Sequence, residues 1–266
     1  MKINKTLVFY FYTFNGFEEN TAIRMHLYYI NKYSYVFDDA VFVIASDEMD
    51  EKLLNDTKIA ILKNLHVNNV TFKCVENNEF CESAVLKNEI LDKIEQLDGL
   101  VFFGHTKGIT NFKKYPSEPI KAWIHSLWYY NLEHMFDVID QLVYNSCNAF
   151  YGALLHDDTK RNMQDNFNTN KVWYCGTFYW INVGVLDRML KERNNELDKR
   201  CSSRHMAEMF PGDICKRDRL KSYKNKYVET GTFNTYVSSI VDYADAFGDK
   251  EGFFKSFYEM QVALGF

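Results

Sequence analysis

Three short blocks of this chain carry residue types that can do chemistry on a bound ligand. In Gly104-His105-Thr106-Lys107-Gly108 an imidazole, a hydroxyl and an ammonium group stand in consecutive positions between two glycines. Lys107 offers a point charge for a phosphate, Thr106 a hydroxyl and His105 a titratable nitrogen, while the glycines let backbone N–H groups approach an anion. The block is not a Walker loop, which needs G-x-x-x-x-G-K-[ST]. An ordinary strand-to-loop turn with a solvated lysine would look the same, and both readings stand. In residues 204–213, Glu208 and Asp213 are carboxylates able to take a proton from an attacking hydroxyl. Glu208 is preferred because it precedes the Phe210-Pro211 break, although on a helix it would sit four residues from Arg204 and could form an exposed ion pair. In the third block, Gly176 permits close backbone approach, and Phe178, Tyr179 and Trp180 offer flat faces for the C–H groups of a sugar. Aromatic stripes of this kind fill cores more often than they form platforms.

Other chemistries find less support. The chain has no C-x-x-C pair, no G-x-S-x-G elbow and no G-x-G-x-x-G fingerprint. It also lacks any D-x-D, and neighbouring acids such as Asp38-Asp39 and Asp157-Asp158 point to opposite faces if they lie on strands. No metal ligand is therefore assigned. A paired-carboxylate hydrolase stays open, because its two acids need no proximity in sequence.

The elements that must position these blocks alternate along the first half. Residues 7–12, 39–45, 70–75 and 100–103 read as strands apolar on both faces. Residues 18–33, 49–64 and 82–97 read as helices between them, with Ser46-Asp47 as the cap of the second. Such alternation predicts an α/β fold with a mostly parallel central sheet flanked by helices. Ligands of these sheets bind beyond the carboxyl ends of the strands. That rule singles out Thr13 and Asn15 after the first strand, Asp47 after the second, and residues 104–108 after the fourth. The second half is less regular and predicts mixed strand order. Residues 122–135 form an aromatic helix carrying Trp123, residues 140–155 a strand-like region, residues 172–185 an apolar run and residues 186–193 a helix.

With 47% hydrophobic and 17% aromatic residues there is ample material for a core, and three prolines and twelve glycines mark no linker. One domain is expected over 1–266, with 1–110 as a nucleotide-binding half and 111–266 as an acceptor-side half. A net charge of −5 argues against nucleic acid as a partner. Residues 216–226 nonetheless carry six cations and one anion, either a solvated face or a patch for a diphosphate or the inner face of a membrane. Scattered cysteines and an apolar amino-terminal run too short to span a bilayer predict a cytoplasmic protein.

The ordered set His105-Thr106-Lys107-Gly108, Trp123, Gly176-Thr177-Phe178-Tyr179-Trp180 and Glu208 before Phe210-Pro211 resembles the motifs of bacterial surface-polysaccharide glycosyltransferases of the rhamnan-synthesis type. The likeness covers roughly residues 100–215. It departs at Ile181-Asn182, where an arginine would be common, and fits loosely around the acidic position. It implies a GT-A-like (Rossmann-like) fold and transfer of a sugar from a nucleotide-sugar donor to a glycan or lipid-linked acceptor. Under that reading Thr13, Asn15, Asp47, His105, Thr106, Lys107 and Gly108 hold the donor. Trp123, Gly176, Phe178 and Trp180 meet the acceptor or stack on sugar, and Glu208 or Asp213 is the base. Lys107, His105 and the basic stretch can supply the charge that a divalent manganese or magnesium ion would otherwise bring. The competing class is a noncatalytic carbohydrate- or partner-binding protein on the same frame.

Overall fold

The computed structural model describes residues 2–63, 65–145, 147–157, 172–192, 206–215, 220–222, 228–229 and 237–266. Its first half is a run of parallel strands, β1 (Lys5–Tyr12), β2 (Asp39–Ser46), β3 (Asn69–Glu76) and β4 (Leu100–His105). Helices α1 (Thr21–Tyr33), α2 (Glu51–Leu62) and α3 (Glu82–Val85) connect them, the last continuing as a π-helix through Leu91. The second half adds α4 (Ser117–Leu132), α5 (Met135–Ile139), β5 (Phe150–Gly152), β6 (Leu155–Asp157), β7 (Val172–Tyr174) and β8 (Tyr179–Asn182). After these come α6 (Val183–Glu192), α7 (Met206–Ile214), β9 (Leu220–Lys221), β10 (Val228–Glu229), α8 (Ile240–Phe247) and α9 (Lys250–Leu264).

The seven-stranded sheet runs β3-β2-β1-β4-β8-β5-β9, and a three-stranded sheet runs β10-β6-β7. β8 is antiparallel to both β4 and β5, so the second half is mixed, as its irregular pattern predicts. Both faces of the large sheet are covered, which is why its strands read as continuous apolar runs. Leu7, Phe9, Phe11, Phe102, Phe178 and Trp180 point to a core shared with α1, α4, α8 and α9. Val8, Tyr10, Val101, Phe103, Tyr179 and Ile181 point to the opposite core, shared with α3, α6 and α7.

Local chemistry moves some expected boundaries. The second helix begins at Glu51, not 49, because the Asp50 carboxylate takes the Leu53 N–H at 2.7 Å and caps it. Ser46 and Asp47 are therefore not its cap. The strand-like region expected over 140–155 opens as helix instead: Asp140–Tyr144 forms a π-helical turn after α5, and strand geometry starts only at Phe150. Helix α7 runs through Phe210-Pro211 to Ile214, so these residues do not break it.

The rings expected to stack on sugar at 178 and 180 are core. Phe178 and Trp180 have no exposed surface, and the Trp180 indole N–H donates to the Asn131 carbonyl at 2.8 Å. Period-two alternation puts both side chains on the α4 face of the sheet, under a helix. Trp180→Ala should lower the unfolding free energy by about 3–5 kcal/mol, the cost of removing a large buried ring. Urea denaturation measures this, and a loss below about 1 kcal/mol would contradict a core role.

Candidate functional site

β2 lies on one side of β1 and β4 on the other, so the connections after β1 and β4 diverge and leave a crevice at the carboxyl ends of the strands. A cleft of about 410 Å³ occupies that place. Its wall combines Tyr10 and Tyr12 of β1, Asn77, Cys81 and Glu82 beyond β3, His105 at the end of β4, residues 106–111 beyond it, and Glu208 of α7.

The three sequence blocks meet here through hydrogen bonds. Lys107 Nζ donates to Glu208 Oε1 at 2.8 Å, and the Gly176 N–H donates to the same oxygen at 3.1 Å. His105 Nε2 donates to the Gly176 carbonyl at 2.9 Å, which leaves Nδ1 facing Glu82 Oε2 at 3.9 Å. Gly176 can serve both neighbours because its backbone adopts φ +90°, a conformation open to glycine. Burial alone would lower the Lys107 pKa, but the Glu208 carboxylate beside it wins and raises it above the usual lysine value. Burial likewise acts to raise Glu208, and Lys107 with the Gly176 N–H holds it below the usual carboxylate range. Each charge keeps the other ionised.

The backbone around the pair is pinned from behind. His26, fully buried, takes the Trp128 indole N–H on Nδ1 and donates from Nε2 to the Lys107 carbonyl, both at 2.9 Å. Burial pushes that imidazole down to about 3, so it is neutral. On the Glu208 side, the Ala207 N–H donates to Ser83 Oγ at 3.0 Å. Pro211 has no N–H for the Ala207 carbonyl one helical turn back, and the Tyr179 hydroxyl donates to that carbonyl instead, at 2.8 Å. The proline thus stays inside a helix that delivers Glu208 to the cleft.

Other expected residues are placed differently. Thr106 lines the cleft, but its Oγ1 already accepts the Tyr12 N–H at 2.9 Å. Thr13 is fully buried with its hydroxyl paired to that of Thr57 at 2.8 Å, so it is not available to a donor. Asn15 is exposed in a turn and does not line the cleft. Asp47 sits at the rim, accepting from the Tyr12 hydroxyl at 2.5 Å and from Asn77 at 2.7 Å. Those two bonds hold its carboxyl below the ordinary range, while burial and Asp47 push Tyr12 up to about 12. Gly108 lines the cleft at φ +91°, with Ile124 so close that a Cβ would clash. Trp123 is only 1% exposed and offers no platform; Lys107 lies 5.2 Å from its ring centroid, a cation–π support. Asp213 is buried in the last turn of α7 and is not part of the cleft wall. Arg204 and most of the basic stretch 216–226 lie outside the described residues.

Tyr10, Tyr12, Asn77, Cys81, Glu82 and residues 109–111 are the wall residues that the sequence patterns do not single out. The strand-end rule applied to β3 would have found Asn77 and Glu82. Among the described residues no three His, Cys, Asp or Glu side chains converge as a metal site, and no helix is long and apolar enough to cross a membrane.

No family model matches this chain, and no curated protein matches it in sequence. Solved structures give loose likenesses. The mannosyltransferase Ktr4p from S. cerevisiae aligns over 91% of this chain and 77% of its own, at 9% identity and a TM-score of 0.37. Mouse xyloside xylosyltransferase 1 aligns over 80% and 81%, at 10% identity and a TM-score of 0.36. Core-mannan synthase A from Aspergillus fumigatus aligns over 93% and 86%, at 9% identity and a TM-score of 0.35. At these scores the functional reading rests on the site's own chemistry.

The paired charges fix a pH signature. The depressed Glu208 contributes stability above its unfolded value of 4.5 that is lost as pH falls through its lower folded value. The raised Lys107 contributes stability below 10.5 that is lost as pH rises through its higher folded value. In urea titrations across pH, the wild-type advantage over Glu208→Gln should be flat at neutral pH and shrink below about 4.5. An advantage unchanged down to pH 3 would contradict the pair.

Proposed function

We propose that the cleft takes the diphosphate of a nucleotide sugar and that the protein transfers the sugar to a glycan or lipid-linked acceptor in surface-polysaccharide synthesis. The observation that carries this reading is the convergence of blocks 104–108, 176–180 and 208 on one carboxylate oxygen. Residues about 100 positions apart meet there as a cation, a base and backbone dipoles lining a crevice.

Chemistry follows from the exchange of one ion pair for another. The diphosphate draws Lys107 away from Glu208, and the ammonium then neutralises charge on the leaving diphosphate oxygen. Glu208, already deprotonated and now without its counterion, takes the proton from the acceptor hydroxyl. The acceptor oxygen forms its bond to the anomeric carbon as the bond from that carbon to the diphosphate oxygen breaks. One lysine faces two cleft carboxyl groups, Glu82 and Glu208, so a donor arriving with its own magnesium or manganese ion balances the charge better than a bare one. Glu82 would be the carboxyl group to hold such an ion, which would supply positive charge to the diphosphate. Contact with a membrane through residues 216–226 would bring a lipid-linked acceptor near.

Lys107→Ala should weaken nucleoside diphosphate binding about tenfold, the value of one charge-assisted contact. Glu208→Gln should abolish transfer yet tighten diphosphate binding, because Lys107 no longer has a carboxylate to leave. Calorimetry with UDP and GDP, with and without manganese, and turnover on a nucleotide-sugar panel read both. Near-normal turnover in Glu208→Gln removes that residue from the mechanism, and diphosphate binding without any turnover makes the protein a binding module.

A further inference from the structure

The small sheet carries a polar group that the donor chemistry does not use. His156 of β6 is 5% exposed, and among the described residues neither Nδ1 nor Nε2 has a hydrogen-bond partner. A buried imidazole with both nitrogens idle costs free energy that a bound partner would recover. Its ring lies 5.4 Å from that of Trp173, nearly parallel at 13°. The two residues are directly opposed in the antiparallel β6–β7 pair, so they share one face of the sheet. Leu155, Val172 and Tyr174 turn to the other face and join the core packed against α7. Trp173 is half-buried.

Three residues beyond Trp173, β7 leads into the turn that supports the reaction centre. The Cys175 N–H donates to the Leu154 carbonyl at 3.1 Å, and the next residue is Gly176, whose backbone holds both Glu208 and His105. Thr177, in the same turn at φ +55°, is also fully buried and has no hydrogen-bond partner for its hydroxyl among the described residues. The Glu208 charge reaches His156 and acts to raise its pKa, but burial dominates and brings it down to about 4, so the ring is neutral at pH 7.

We propose that the His156–Trp173 face is the acceptor subsite, binding a neutral sugar ring with His156 hydrogen-bonded to its hydroxyls and Trp173 against its C–H surface. The class of ligand follows from the groups. A neutral imidazole offers one donor and one acceptor, the complement of a pair of hydroxyls. An indole surface suits a ring of C–H groups. Glu208 close by disfavours a second phosphate. The proposal rests on the transferase reading for its role, but glycoside binding tests it separately.

Trp123, Trp128 and Trp180 are at most 1% exposed, so a tryptophan fluorescence response to small glycosides reports Trp173. Methyl glycosides of mannose, glucose, galactose, rhamnose and N-acetylglucosamine serve as probes, with UDP and GDP affinity measured in parallel. Wild type should respond saturably to at least one glycoside. His156→Gln should weaken that response at least tenfold with diphosphate affinity unchanged. Trp173→Ala, followed by saturation-transfer NMR on the glycoside, should lose the signal and decides the matter if His156→Gln fails to fold. A glycoside response equal in His156→Gln, or no response to any probe while diphosphate binds, overturns the subsite and leaves the transferase reading intact. Absence of diphosphate binding with a His156-dependent glycoside response overturns the transferase reading and supports the subsite.

Discussion

A lysine and a glutamate sharing a nearly closed space set the terms for the rest of this structure. Removing either partner leaves the other charge poorly solvated, which costs about 3–5 kcal/mol for a buried pair and somewhat less where, as here, the side chains keep 16–18% exposure. The pair therefore demands support from uncharged groups. Gly176 lends an N–H to the carboxylate, Trp123 lies beside the ammonium, and His26 anchors the carbonyl of Lys107 itself. Each of these residues comes from a different element. What looks like a local ion pair is the point where β4, the β7–β8 turn, α1, α4 and α7 are tied together.

The sheet order explains why the tie falls there. β1 is central, with β2 to one side and β4 to the other, and the main-chain ladder between β1 and β4 continues past the last paired residues as Thr106 N–H reaches the Tyr10 carbonyl at 3.0 Å. Tyr10 and Tyr12 consequently enter the cleft from one strand while His105 and Thr106 enter from its neighbour. Covering both faces with helices leaves the strand ends as the place where polar side chains can gather. The carboxyl-end position is a consequence of packing before it is a consequence of chemistry.

Much of this was readable from residue order. The four parallel strands announce themselves through unbroken β-prone runs, and the block 104–108 spans the end of β4 and the turn after it, where a ligand loop belongs. Glu208 was legible only as one acid among several, since nothing local shows that Lys107 lies 2.8 Å away across 101 positions. Phe178 and Trp180 mislead for a related reason: an aromatic run on a short strand says that rings are present, and only the tertiary cover from α4 says they are inside. Thr13 follows its strand as the rule demands, yet Thr57 of α2 takes its hydroxyl. Residues 140–144 have the apolar content of a strand and become a π-turn because α5 leads into them. The terminal pair α8 and α9, packed on α1 and α4 through Tyr130, Phe247 and Phe253, was not foreseen.

The Tyr179 hydroxyl that replaces the hydrogen bond Pro211 cannot make has an evolutionary implication. Positions 179 and 211 are coupled through one carbonyl although 32 residues separate them. A lineage losing the phenol oxygen alone would strand a helix carbonyl in the core, whereas one replacing the proline alone would give that carbonyl a second donor, which its second lone pair can take. Phenylalanine at the first position is tolerable together with alanine at the second. Among homologues, phenylalanine in the first column should occur only where the second is no longer proline.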